Sequence, residues 1–298
     1  MERGQRSTGP EVLDTFPAFE EFWARVRHEP ISIQIRRWAG EHMGPWPELL
    51  SKQQENYSSD GLDWAGVARY RVFPHLEERL GTMRDLHRDL VRTIPGSWAR
   101  ARAALGIRFP IRFVIYVGIG CGEGWATIYG DRPACLFGLE NAAENHRGGD
   151  GWSRRIVAHE VAHLAHERFR SDKPRGPRDP WWMLYEEGFA TYWEQRIEPK
   201  LFPLRTGKKD WLAWCDEHRP WLARKFLADV AARRSLRPFF GSWFRIRGQI
   251  ETGYYLGAEM IRSWTQEMPW RGVASLPLVR LRRRARSTLL EFAEESGP

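Results

Sequence analysis

His159, Glu160 and His163 stand in the order H-E-x-x-H, and residues of these types at this spacing can hold and use a metal ion. Side chains four apart on a helix are neighbours, with Cβ atoms roughly 5–6 Å apart. Two imidazoles so placed can converge on one ion at about 2.0–2.1 Å each. Glu160 then stands beside the ion, where a carboxylate can take a proton from water that the metal activates. The pattern points to a zinc hydrolase. Its bland alternative is an amphipathic helix carrying two histidines and a glutamate on a solvated face.

The neighbouring elements must supply both the helix and a third ligand. Residues 151–170 read as helix, with Ile156, Val157, Val161 and Leu164 as its apolar stripe and Asp150 or Ser153 as its cap. The run S-D-K-P at 171–174 stops it, and a Pro-rich loop leads on to Asp179. A second helix is predicted from there, with Asp179 as N-cap, Pro180 at the first helical position and an end by Glu198, before Pro199. Glu187, Thr191 and Glu194 fall on one face of it. Glu187 is the candidate third ligand, with Thr191 or Glu194 available to hydrogen-bond a ligating imidazole. His166, a further turn along the metal face, is expected behind the ligands or in the core; if it did ligate, the site would be closed and structural.

These motifs carry a resemblance. H-E-x-x-H at 159–163 followed by E-G-x-A at 187–190 resembles the gluzincin group of zinc metallopeptidases. The resemblance implies Glu187, rather than Glu186, as the third ligand. With F-G-L-E-N at 137–141 and G-Y-Y-L-G at 253–257, the chain resembles more narrowly a bacterial family of predicted Zn-dependent proteases, over roughly residues 107–267. This implies a zincin-like fold, a bound Zn²⁺, and hydrolysis of a peptide or protein substrate. It also implies an oxyanion donor from a downstream helix, for which Tyr254 is the candidate and Tyr255 the next; otherwise both are core aromatics at a helix start. The metzincin pattern is absent, since His166 and Phe169 stand where it needs Gly and His, and no C-x-x-C exists for a zinc ribbon.

Two neutral imidazoles and one carboxylate leave a zinc site with a charge of about +1 and one open position. Such a site can bring the pKa of water from 15.7 to about 7. Glu160 is expected to accept the proton as general base and return it to the leaving amine. A reading from another class is a non-catalytic zinc-bearing binding or regulatory protein, marked by four protein ligands and no open position.

Composition frames the site. A chain of 298 residues with 42% hydrophobic content and 16 tryptophans can bury a sizeable core. No apolar run is long enough to span a membrane, and the charged N-terminus shows no secretory signal. The three cysteines, Cys121, Cys135 and Cys215, read as reduced core thiols, so a cytoplasmic location is the expectation. Arginine supplies most of the 46 basic residues behind the net charge of +8. A nucleic-acid partner is not expected, because the one dense run, Arg280 to Arg286, reads as the solvated face of a last helix.

The first hundred residues read as helical. Phe16, Phe19, Phe22, Trp23 and Val26 mark one helix. Leu76, Leu80, Met83, Leu86 and Leu90 mark another that ends before Pro95, and Asn56 to Gly61 is a polar break between helices. Alternation over Ile111–Val117 predicts a buried strand. Trp125–Tyr129 and Pro133–Leu139 predict two more, joined at Gly130-Asp131. The glycine-rich run 118–124 has no helix opening after it and reads as a turn at the sheet rim, beside an edge strand where an extended peptide could dock. Helices return after Pro199, most clearly Trp211–Val230 and Tyr254–Met268. The predicted class is α+β: a small mixed sheet plus the H-E-x-x-H helix, zincin-like by resemblance, with helical N- and C-terminal regions. Residues 1–106 form the helical N-terminal region and 107–298 the metallopeptidase domain with its helical C-terminal part.

Overall fold

The alternating segment at 111–117 becomes an inner strand of a four-stranded mixed sheet in a computed structural model, which describes residues 10–59, 61–145, 151–170, 172, 174, 179–201, 210–241 and 244–295. The strands are β1 (Glu11–Asp14), β2 (Arg112–Tyr116), β3 (Gly124–Tyr129) and β4 (Arg132–Gly138), in the order β1-β2-β4-β3. β1 and β4 run parallel to β2, whereas β3 pairs antiparallel with β4 and forms an edge. The hairpin turns at Gly130-Asp131 as expected, with Tyr129 opposite Arg132.

β1 corrects the reading of the first hundred residues as wholly helical. Its four residues contain only Val12 and Leu13 as apolar members, too little to show alternation. The ladder to β2 holds it, together with the Glu11 carboxylate, which meets Arg112 and Arg132 at 2.8 Å each.

Helices α1 (Phe16–Val26), α2 (Ile31–Arg37), α3 (Pro47–Ser59), α4 (Trp64–Val67) and α5 (Leu76–Leu105) belong to the same unit. α1 buries the five residues expected of it. α3 continues through Asn56 to Ser59, so the polar break is shorter than expected; Tyr57 is buried and its hydroxyl donates to the Ile119 carbonyl at 2.7 Å. α5 does not stop before Pro95 but runs through it. Its buried stripe continues through Ile94, Trp98, Ala101 and Leu105, and Trp98 packs edge-on to Phe113 of β2 at 6.0 Å. Burying a side chain such as Leu105 contributes about 1.5–3 kcal/mol. Several of these offset a proline penalty of about 3 kcal/mol. The lost backbone bond falls at Val91, on the solvent side, where water can serve the carbonyl.

A single π-helical turn, Trp38–His42, follows α2 and buries the His42 ring between Phe19, Phe22 and Trp46, with centroids 5.5, 5.6 and 5.5 Å away. Neither of its ring nitrogens has a hydrogen-bond partner. Burial pushes its pKa down to about 4.

The chain resolves into two compact units, Met1–Glu160 and Val161–Pro298. β1 ties the N-terminal region into the sheet. The division falls inside one continuous helix, α7 (Trp152–Glu167), which follows the short α6 (Leu139–Glu144).

The second unit is helical: α8 (Pro180–Ile197), α9 (Trp211–Glu217), α10 (Arg219–Ala231), α11 (Arg237–Phe240), α12 (Thr252–Glu267), α13 (Trp270–Ala274) and α14 (Leu278–Glu294). The segment read as one helix over Trp211–Val230 is two, α9 and α10, interrupted at His218 just before Arg219-Pro220. α8 and α12 pack at backbone contact. A Cβ on Gly188 would lie 2.3 Å from the Gly257 backbone, and one on Gly257 would lie 2.3 Å from the Leu184 carbonyl. Arg170, whose side chain is fully buried, donates to the carbonyls of Asp172, Ala274 and Leu276 and lies over the rings of Trp182 and Tyr185. The basic run lies on α14, where Leu281, Ala285, Thr288, Leu289 and Phe292 face inward. Two of its arginines are paired within the unit, Arg282 with Asp179 and Arg284 with Glu267. Among the described residues, no helix is long and apolar enough to cross a membrane.

Two outcomes follow from this packing. The folded His42 pKa near 4 lies below its ordinary 6.5, so as pH falls the unfolded chain takes up the proton first. Stability is therefore whole above pH 6.5 and is lost between there and pH 4, by up to about 3 kcal/mol. Urea unfolding at pH 7 and pH 4.5 should show a smaller acid loss in His42→Phe, by about 2–3 kcal/mol; an equal loss in both proteins would contradict it. Gly257→Ala should destabilise by about 1–3 kcal/mol or more through overpacking, although alanine favours a helix by about 1 kcal/mol over glycine. A raised melting temperature would count against the contact.

Candidate metal centre

α7 is buried on nearly all sides, with Val157, Ala158, Val161, Ala162, Leu164 and Ala165 inside and Ile156 half-buried. This excludes the solvated-face alternative: His159 and Glu160 are 5% and 4% exposed. Helix α7 begins at Trp152, which places Ser153 inside the first turn, where its hydroxyl has no hydrogen-bond partner and caps nothing. Asp150 and most of the 171–178 loop lie outside the described residues.

α8 starts as its residues dictate. Asp179 Oδ1 accepts the Trp182 N–H at 2.8 Å, Pro180 opens the first turn, and the helix closes at Ile197 before Pro199. Asp179 Oδ2 also takes the Arg282 guanidinium at 2.7 Å, so one carboxylate caps α8 and anchors α14. The glycine contact with α12 presses on α8 at Gly188, the residue after Glu187.

His159, His163 and Glu187 each offer a ligand atom, and all three atoms lie within 4.8 Å of one another. His163 Nε2 and Glu187 Oε2 are 3.6 Å apart, longer than a hydrogen bond. Ligand atoms about 2.0–2.2 Å from one tetrahedral ion stand roughly 3.4 Å from each other. Two imidazole nitrogens and a carboxylate oxygen are also a donor set that suits zinc. The residues therefore fit the ion. The side chains of His163 and Glu187 keep 14% and 24% exposure, which leaves solvent access to the group. Of the neighbouring glutamates it is Glu187 that joins the histidines. Glu186 is half-buried, and burial first and the Glu187 charge second push its carboxyl up to about 8.

His166 is not one of the three. Its ring, 1% exposed, sits among Trp182, Tyr185 and Phe189, with centroids 6.0, 5.5 and 5.2 Å away. Thr191 and Glu194 lie buried along α8, one and two turns beyond Glu187. Glu160 lies against the first residue of the edge strand: a Cβ on Gly124 would be 2.8 Å from Glu160 Oε1 and 2.9 Å from Ile156. Tyr254, half-buried in the first turn of α12, packs edge-on to Phe240 at 5.8 Å. Tyr255 is turned away to α9, where its hydroxyl donates to Asp216 at 2.6 Å.

The structure adds residues that spacing could not reveal. The glycine-rich segment 118–124 is pinned by Gln53 and Tyr57 from α3, by Glu140 and Asn141 from α6, and through Glu123 by Trp152 of α7. Glu140 and Asn141 belong to the F-G-L-E-N motif, whereas nothing in α3 marks Gln53 and Tyr57. No thiol competes as a nucleophile, since burial pushes the pKa values of Cys121, Cys135 and Cys215 up. Compared with the models of known protein families and with curated proteins, the chain matches none.

Proposed function

We propose that this chain is a zincin-like, gluzincin-type zinc metallopeptidase that hydrolyses peptide bonds in a peptide or protein substrate. The observation that carries the reading is the convergence of His159, His163 and Glu187 beside a buried glutamate. Those three residues would hold Zn²⁺, which supplies Lewis acidity toward a substrate carbonyl and toward water.

The remaining work falls to side chains and backbone of this chain. Glu160 is the general base: its carboxylate accepts a proton from the attacking water and returns it to the leaving amine. Gly124 opens β3, whose outer edge has no strand partner among the described residues, and Ile128 on that strand is 50% exposed. An extended peptide can add there as a further strand, which would bring its backbone past Glu160. Tyr254 is the proposed oxyanion donor. The alternative of a closed, non-catalytic zinc site lacks support from His166, which stands in an aromatic pocket.

Protein produced under metal-replete conditions should carry one zinc per chain by elemental analysis, and His163→Ala or Glu187→Ala should lose it. A peptide-library digest read by mass spectrometry should show cleavage that a chelator stops. Glu160→Ala should keep its zinc and lose activity by a factor on the order of 10²–10⁴. Wild-type protein without stoichiometric zinc would sink the reading at its root. Tyr254→Phe should lower kcat on the order of 10²–10³-fold with KM little changed; an unchanged kcat would remove Tyr254 from the mechanism.

A further inference from the structure

A second carboxylate lies fully buried just after β4, and the reaction outlined above does not use it. Glu140 sits in the first turn of α6, immediately after β4. A carboxyl group in such a place is costly unless hydrogen bonds hold it. Its Oε1 accepts the Gly120 N–H at 2.9 Å, while Oε2 has no hydrogen-bond partner. Burial pushes the group's pKa up, and the amides of Gly118 and Gly120 act against that shift. The engagement of Glu140 is therefore with the loop that joins β2 to β3.

The same loop is gripped from its other side. Gln53 accepts the Ile119 N–H at 3.2 Å, and the Tyr57 hydroxyl donates to the Ile119 carbonyl at 2.7 Å. Gly120 has φ +84°, a conformation that side chains rarely adopt. At the far end, Glu123 accepts the Trp152 indole N–H at 2.8 Å, and Trp152 is the first residue of α7. The next residue is Gly124, the surface against which the Glu160 carboxylate rests. A chain of fixed contacts thus runs from Glu140 through the loop to the general base.

We propose that Glu140 is a positioning residue: by holding the 118–124 loop it keeps Gly124 against Glu160 and so sets the direction of the Glu160 carboxylate. This rests on the metallopeptidase reading above. Glu140 acts through the loop, so its loss changes kcat and leaves zinc binding and KM alone. A displacement of about 1 Å at a reacting group can cost on the order of 100-fold in rate.

The test compares zinc-loaded wild type with Glu140→Ala, Glu140→Gln and Gly124→Ala in the full chain. Hydrogen exchange of the 118–124 peptide, zinc content, kcat and KM are measured on each. Glu140→Ala should speed exchange of the loop amides by about tenfold or more, and lower kcat by about 100-fold with KM and zinc unchanged. Glu140→Gln keeps an oxygen for the Gly120 N–H and should recover most of both losses. Gly124→Ala should lower kcat to a similar degree while the loop stays protected, because its methyl group displaces Glu160. If Glu140→Ala does not fold, Glu140→Asp, which draws the oxygen back from Gly120, should show the same pairing of faster exchange and lower kcat. Unchanged loop exchange in the Ala or Asp variant overturns the proposal. So does faster exchange at wild-type kcat, or a wild-type kcat in Gly124→Ala. Wild type that binds no zinc and cleaves no peptide overturns the function reading and this catalytic role with it; loop exchange still decides separately whether Glu140 holds the loop.

Discussion

Two imidazoles and a carboxylate lie within five residues on a helix that is buried along most of its length. Polar groups in such a place must be paired, or the fold bears the full cost of removing them from water. Much of the surrounding architecture answers to that constraint. Glu187 comes to the histidines on α8, and α8 is held against α12 by a contact that only two facing glycines permit. The glycine after Glu187 is thus a packing residue, and the E-G pair combines a candidate ligand with the means of placing it.

The sheet answers the same constraint at Glu160. β3 is an edge strand, and its first residue is a glycine because the Glu160 carboxylate occupies the space a side chain would need. Holding a glycine-rich loop in one conformation works against its backbone entropy. The protein meets that cost with hydrogen bonds from Glu140, Gln53 and Tyr57, which are costly groups to bury and are kept where the loop needs them. Arg170 plays a comparable part in the helical unit, joining the end of α7 to the carbonyls of Ala274 and Leu276.

Local signals in the sequence proved legible and distant ones did not. The start and end of α8 follow from Asp179, Pro180 and Pro199, all within a turn of the boundary they set. The proximity of His159, His163 and Glu187 followed from helical spacing and a recognisable E-G-x-A, and the β3–β4 hairpin from Gly130-Asp131. By contrast, α5 passes through Pro95 because Trp98 finds Phe113 on the sheet, a partner no window around the proline contains. β1 exists through its ladder to a strand about a hundred residues away. The role of Glu140 was hidden for the same reason: its motif was visible, but the amides it meets belong to another loop. His218 divides α9 from α10 where apolar periodicity alone ran on unbroken.

The central claim is that His159, His163 and Glu187 together hold one zinc ion with a position left open. X-ray absorption at the zinc edge of the loaded protein tests it most directly. The account predicts a four-coordinate shell of nitrogen and oxygen at about 2.0–2.2 Å, with the outer scattering of two imidazoles and one open-position oxygen that an added inhibitor replaces. Sulfur at about 2.3 Å, three or more imidazoles, or a shell that no ligand can enter would contradict it.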